Sequence, residues 1–305
     1  MTATAQFPRE VDRRGAFVRQ ASRFRDWVSA DGSTGYPATP GRYHLYVSYA
    51  CPWASRVVIV RKLKRLEDVI GMTVVDPIRD ERGWRFTAAD PDPHEGFRFL
   101  AEAYAATDPS FEGRVTVPVL WDTETRRIVN NESADIMRML NGWSDEGPDL
   151  APAELLDEID ALNRLIYENV NDGVYKAGFA VTQEAYEEAF DKLFATLDRL
   201  ADRRYLLGDE PLEPDWRLFV TLVRFDPVYY VHFKCNLRRI VDYPNLSGYL
   251  RDLYQRPGIA ETVDFDHIKR HYYGTHPQLN PSRIVPKGPE LDLDKPHGRG
   301  HLSGS

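Results

Sequence analysis

The sequence predicts two domains, a small α/β domain followed by an all-helical one, and three observations predict it. Its 305 residues exceed one average domain, for which about 100 to 200 residues is usual. The first half alternates β-branched and aromatic runs with helical patterns, whereas beyond about residue 150 the periodicity is almost wholly helical. Between the two, Asn141-Gly142-Trp143-Ser144-Asp145-Glu146-Gly147-Pro148 reads as a turn-rich linker.

Residues 1–41 read as an N-terminal arm, polar at first and then rich in Gly and Pro over 31–41, that wraps onto the fold. Arg42-Tyr43-His44-Leu45-Tyr46-Val47-Ser48 alternates and is rich in aromatic and β-branched residues, which predicts a strand. Tyr49-Ala50-Cys51-Pro52-Trp53 follows and opens a helix reaching to about Leu66. Residues 71–77 predict a second strand. A polar insertion over 78–113 carries Gly83-Trp84-Arg85-Phe86 and a short helix around 98–105. Residues 115–121 and 127–129 flank a turn at 122–125 as a hairpin, and Asn131-Glu132-Ser133 starts another helix. The order βαβαββα is that of a thioredoxin-like domain, placed at 42–143. The all-α domain is placed at 150–275, with helical periodicity over 153–169, 183–201, 216–232 and 246–254 and a short segment near 257–262. Residues 276–305, rich in Pro and Gly, predict an extended C-terminal tail.

Composition narrows the function. Hydrophobic residues make up 42% and charged residues 28%, an ordinary soluble globular balance. No apolar run approaches the roughly 18 residues of a membrane span, and the first residues lack the apolar stretch of a signal peptide. A cytoplasmic protein with no membrane partner is expected. Two cysteines, Cys51 and Cys235, are too few for a disulfide framework or a four-thiolate metal site, and no metal is expected. The net charge of -8 opposes nucleic acid, whose binding depends on clustered Lys and Arg.

Cys51 is the sharpest chemical feature. A thiol just after a strand and at the start of a helix lies where the helix dipole and free N–H groups stabilise a thiolate, the nucleophilic form. Pro52 suits the first helical turn, where its missing N–H costs nothing, and Trp53 can shield the sulfur. Three positions on stands Ala54, so an external thiol has to resolve any mixed disulfide. Cys235, in a helical stretch, reads as packing. Val117-Pro118 directly before a strand-like run suggests the cis-proline of this fold. It leaves the Val117 backbone to pair with an extended peptide such as the cysteinyl part of glutathione; a plain structural proline is the other reading. Glu132-Ser133 at a helix start offers a carboxylate pocket and a partner for an amino group, which suits the γ-glutamyl end of glutathione. His267 and His271, spaced i, i+4, lack a further ligand set and read as surface or hydrogen-bonding histidines.

Several segments together resemble the glutathionyl-hydroquinone reductases, the Xi class of glutathione transferases. They are Tyr49-Ala50-Cys51-Pro52-Trp53-Ala54, Gly83-Trp84-Arg85-Phe86, Val117-Pro118-Val119-Leu120-Trp121-Asp122 and Asn130-Asn131-Glu132-Ser133-Ala134-Asp135 in the first half. In the second half they are Gly173-Val174-Tyr175-Lys176-Ala177-Gly178-Phe179-Ala180, Leu222-Val223-Arg224-Phe225-Asp226-Pro227-Val228-Tyr229, residues 265–273 and residues 284–289. The resemblance implies the glutathione transferase fold and reductive removal of glutathione from glutathionyl-hydroquinones. Cys51 would take the glutathionyl group and a second glutathione would release it as the disulfide. It also implies that Trp84, Val117, Glu132 and Ser133 hold glutathione, with Arg114 for its glycyl carboxylate and Pro118 shaping the pocket. Tyr175 and Tyr272 would contact the quinol oxygens, with Tyr273 on the same wall. A homodimer is implied, and the tail is long enough to cross a partner. One departure stands out: the helix near Trp216 begins at Leu212 where glutathione transferases usually place Ser or Thr, although Asp215 remains. The rival readings are an omega-like thiol transferase or dehydroascorbate reductase using the same Cys51, and a non-catalytic binding protein of the same fold.

Overall fold

Tyr43–Val47 forms strand β1 in the computed structural model, which describes residues 10–200 and 202–302. All five residues are buried, so the alternation marks two covered faces; polar His44 is accommodated by a 2.8 Å bond between its Nε2 and Thr73 Oγ1. Helix α1 (Pro52–Leu63) follows, then β2 (Gly71–Val74), α2 (Leu100–Thr107), β3 (Val119–Asp122), β4 (Arg127–Asn130) and α3 (Ser133–Asn141). The sheet order is β2-β1-β3-β4, with β1 parallel to β2 and the other pairs antiparallel. Strand β3 starts only at Val119, because Pro118 has no N–H for the ladder and the Val117–Pro118 bond is cis. Residues 24–26 run antiparallel along the outer edge of β4, with Asp26 N–H on Val129 O (3.0 Å) and Asn131 N–H on Phe24 O (3.1 Å). This covers an edge that would otherwise present unpaired N–H and C=O groups.

The backbone divides into two compact units. The sheet unit takes in residues 19–148 and 262–271. The helical unit takes in residues 10–18, 149–261 and 272 onward. In chain order its helices are α4 (Leu156–Ile166), α5 (Gly173–Phe179), α6 (Gln183–Leu197), α7 (Glu213–Arg224), the short α8 (Tyr230–His232) and α9 (Pro244–Tyr254). A final helix, α10 (Phe265–Thr275), has its first seven residues in the sheet unit and the rest in the helical unit. Wider π-helical turns, Tyr167–Asn171 and Phe225–Tyr229, separate α4 from α5 and α7 from α8. The residues that the sequence reads as the single helices 153–169 and 216–232 are therefore each interrupted. The tail has no helix or strand among residues 276–302 and folds back on α9 of its own unit. Gln255 Nε2 donates to Leu293 O and Lys295 O at 2.7 Å each, and Arg299, only 4% exposed, donates to Asn245 O (3.2 Å) and Arg204 O (3.0 Å). No helix of the described residues is long and apolar enough to cross a membrane.

All twelve residues of α7 are buried, so its terminus needs internal partners. Leu212 gives it no side-chain cap. Asp215 compensates by accepting from the backbone N–H of Leu212 (2.9 Å) and Leu206 (3.0 Å) and from the Tyr249 hydroxyl (2.6 Å). Leu212→Ser should supply the missing acceptor and stabilise the chain by about 0.5–2 kcal/mol, read as a raised midpoint in thermal unfolding without change in activity. A lowered midpoint would show that the partly buried leucine contributes more by packing.

Candidate active site

The loop between β1 and α1 sets Cys51 at the N-cap of α1, with Pro52 in the first turn. Ser48 ties the loop down: Cys51 N–H donates to Ser48 O (3.1 Å), Ala50 N–H donates to Ser48 Oγ (3.3 Å), and Ser48 Oγ lies 3.0 Å from His267 Nε2. The Cys51 thiol is half-buried, and its Sγ donates to Val117 O at 3.4 Å. Cys51, Val117 and the cis Pro118 are thus brought together. Cys235 is fully buried, and burial pushes its thiol well up, which fits a packing role.

Trp84 is 4% exposed and held by stacking. The His271 ring lies on it at 4.9 Å between centroids and 19° between planes, and the Arg79 guanidinium lies 5.2 Å from its centroid. His271 Nδ1 is 2.7 Å from Pro77 O. Burial holds His271 far below the usual histidine range, and the positive charges of Arg79 and Arg114 act in the same direction. It is therefore neutral near pH 7. The Trp84 indole N–H is buried without a protein acceptor. The Arg114 backbone N–H donates to Gln20 Oε1 (3.0 Å).

Glu132 is the N-cap of α3 and Ser133 its first residue. Glu132 Oε1 accepts from Ala134 N–H (3.2 Å), and its Oε2 accepts from the Ser22 hydroxyl (2.9 Å). The arm therefore reaches this site at Ser22 and Gln20, and also at Arg19, whose guanidinium lies 3.7 Å from the Trp53 ring centroid. Sequence reading assigns none of these arm residues a role, because their partners lie well beyond local range, 94 and 110 positions away for Gln20 and Ser22.

In the helical unit the hydroxyls of Tyr175 and Tyr272 are hydrogen-bonded, and Tyr229 OH lies 3.0 Å from Tyr272 OH. Burial raises Tyr272 well above the ordinary tyrosine range, and the neighbouring Tyr175 and Tyr229 add to it. Tyr272 thus remains a neutral hydroxyl. Sequence reading gives Tyr229 no role of its own, although it ends the 222–229 segment that carries part of the resemblance. Tyr273 is set apart from this cluster: its hydroxyl donates to Pro227 O (3.0 Å), and its ring packs on His232. Burial pushes it up to about 12. Consecutive helical residues point about 100° apart, so Tyr272 and Tyr273 leave α10 in different directions. His267 and His271 are buried braces, so the surface part of their expected role does not hold. No group of three or more His, Cys, Asp or Glu side chains placed to hold a metal ion occurs among the described residues.

A four-stranded thioredoxin-like sheet with cysteine at the N-cap of its first helix, followed by helices, defines a glutathione transferase of the cysteine type. Residues 50–142 match the family model for the glutathione S-transferase N-terminal domain, and residues 183–252 match the C-terminal domain model. The chain is 52% identical to the glutathionyl-hydroquinone reductase YqjG of Escherichia coli (strain K12), over 93% of this chain and 92% of that one. It is 50% identical to the glutathionyl-hydroquinone reductase PcpF of Sphingobium chlorophenolicum, over 92% and 91%. A glutathione-bound structure of YqjG superposes with a TM-score of 0.88, covering 90% of this chain and 96% of that one. A Xi-class glutathione transferase from Natrialba magadii, 49% identical, superposes with a TM-score of 0.89, covering 95% and 96%. The chain belongs to the glutathione transferase family, in its Xi class of glutathionyl-hydroquinone reductases.

Proposed function

We propose that this chain removes glutathione reductively from glutathionyl-hydroquinones, with a second glutathione as co-substrate. The Cys51 thiolate attacks the sulfur of the conjugate. An S–S bond forms, the aryl C–S bond breaks, and its electron pair goes to the ring carbon, which takes a proton and leaves as hydroquinone. Free glutathione then attacks the glutathionyl sulfur of the mixed disulfide, releasing glutathione disulfide and restoring Cys51. The observation that carries this reading is the lone thiol at the N-cap of α1, with Ala54 where a resolving cysteine would stand.

Glutathione is the ligand expected at Trp84, Arg114, Val117, Pro118, Glu132 and Ser133. The buried Trp84 N–H lacking a protein acceptor supports this, because buried donors are normally paired. Tyr175 and Tyr272 are the groups assigned to the quinol oxygens and to proton supply, with Tyr229 hydrogen-bonded to Tyr272; Tyr273 is assigned to the same quinol-binding wall. We further infer a homodimer in the cytoplasm, where a reducing environment keeps Cys51 free; light scattering of the purified chain tests the dimer.

The reading is tested by mixing the protein with glutathionyl-benzohydroquinone and excess glutathione and following products by chromatography. One glutathione disulfide should appear for each hydroquinone released. No release, together with removal of glutathione from a glutathionylated peptide, would replace it with the omega-like thiol transferase reading.

A further inference from the structure

Arg56 lies in the second turn of α1 and is 2% exposed. Its Nε and Nη2 donate to Ser133 Oγ, at 3.1 Å and 2.6 Å. Its Nη2 is also 3.8 Å from Glu132 Oε1. A hydroxyl oxygen has two lone pairs and one hydrogen. Two guanidinium N–H bonds occupy both lone pairs, so the Ser133 hydrogen is directed away from Arg56 and the hydroxyl is left as a donor. The guanidinium charge also stands beside the N-terminus of α3, where it adds to the partial positive charge of the helix end.

Beside this donor, Glu132 has its carboxylate fixed by Ala134 N–H and Ser22. An ammonium group and a carboxylate on one carbon, as at the γ-glutamyl end of glutathione, would thus meet an acceptor and a donor on neighbouring residues. We propose that Arg56 is a positioning residue of the glutathione site. It makes Ser133 an obligate donor and thereby selects ligands carrying an α-carboxylate beside the α-amino group. The proposal rests on the glutathione reading of Glu132 and Ser133. A guanidinium that merely fastened α1 to α3 would weaken every ligand alike.

The test measures, by calorimetric titration, the affinity of S-methylglutathione and of its γ-aminobutyryl analogue, which lacks only the α-carboxylate. The proteins are wild type, Ser133→Ala, Arg56→Met and Arg56→Lys. Wild type should prefer S-methylglutathione by about 10- to 100-fold, the range of one hydrogen bond to a charged group. Ser133→Ala and Arg56→Met should lose most of that preference while binding the analogue within about twofold of wild type. Lysine keeps the charge but lacks the planar fork, so Arg56→Lys should fall between them. It decides the matter if Arg56→Met does not fold. A preference left intact in the Arg56 variants, or an equal weakening of both ligands, would overturn the role of Arg56 alone. No preference in wild type would remove the glutathione reading of Glu132 and Ser133 as well.

Discussion

Cys51→Ala is expected to lower hydroquinone release by at least about 10³-fold, because removing a covalent nucleophile leaves only binding and transition-state polarisation. The loss should be in kcat. Glutathione affinity should change little, since Trp84, Glu132 and Ser133 are fixed by His271, Ser22 and Arg56 and not by the thiol. Mass spectrometry gives the second readout: wild type given the conjugate without free glutathione should gain one glutathionyl group at Cys51, and the variant none. Cys235 cannot substitute, being fully buried with its thiol pushed well up. Near-wild-type turnover by the alanine variant would end the covalent mechanism and leave direct attack by bound glutathione.

Tyr272→Phe is expected to lower kcat about 10²-fold, the lower end of what a positioned proton donor contributes. Burial keeps Tyr272 protonated across the working range, so the wild-type pH–rate profile should carry no limb from it near neutrality. The ring remains in the variant and little packing is lost. Tyr175 and Tyr229 each lose one hydroxyl partner, at a cost of about 1 kcal/mol apiece, visible in thermal unfolding. Because Tyr175 and Tyr272 share a hydrogen bond, adding Tyr175→Phe should cost much less than its effect alone. Fully multiplicative losses would show that the two hydroxyls act independently. An unchanged kcat with a raised KM would restrict them to holding the substrate.

The sheet unit was legible because its signals are local. The alternation of 42–48, the Cys51-Pro52 start of α1, the Val117-Pro118 pair and the capping position of Glu132 each carry their reason within a few residues. Helices α5 and α10 were not read from periodicity, for different reasons. α5 has seven residues, with glycine at 173 and 178, and Gly178 is required by packing: a Cβ there would come within 2.3 Å of the Phe233 ring. α10 buries His267 and His271 beside Ile268, Tyr272 and Tyr273, and a hydrophobic pattern does not count the two histidines as core. Trp84, Arg114, Tyr175, Tyr272 and Tyr273 rest on the resemblance alone and Val117, Glu132 and Ser133 also on their local context, whereas Ser22, Arg56, Tyr229 and the stacking of His271 on Trp84 emerge only when distant segments meet. A buried arginine in α1 looks in sequence like any solvated basic residue of a helix. Its hydrogen bonds to Ser133, 77 positions away, reveal its role.

The alanine at position 54 also sets how the reaction answers to its surroundings. With no partner thiol three positions on from Cys51, the second half of each cycle waits for a molecule from outside, and the exchange is first order in that molecule. Throughput therefore tracks the ambient supply of reduced tripeptide. When that supply is depleted by oxidants, the chain accumulates with its sulfur capped, sheltered from irreversible oxidation, and resumes turnover as the pool recovers.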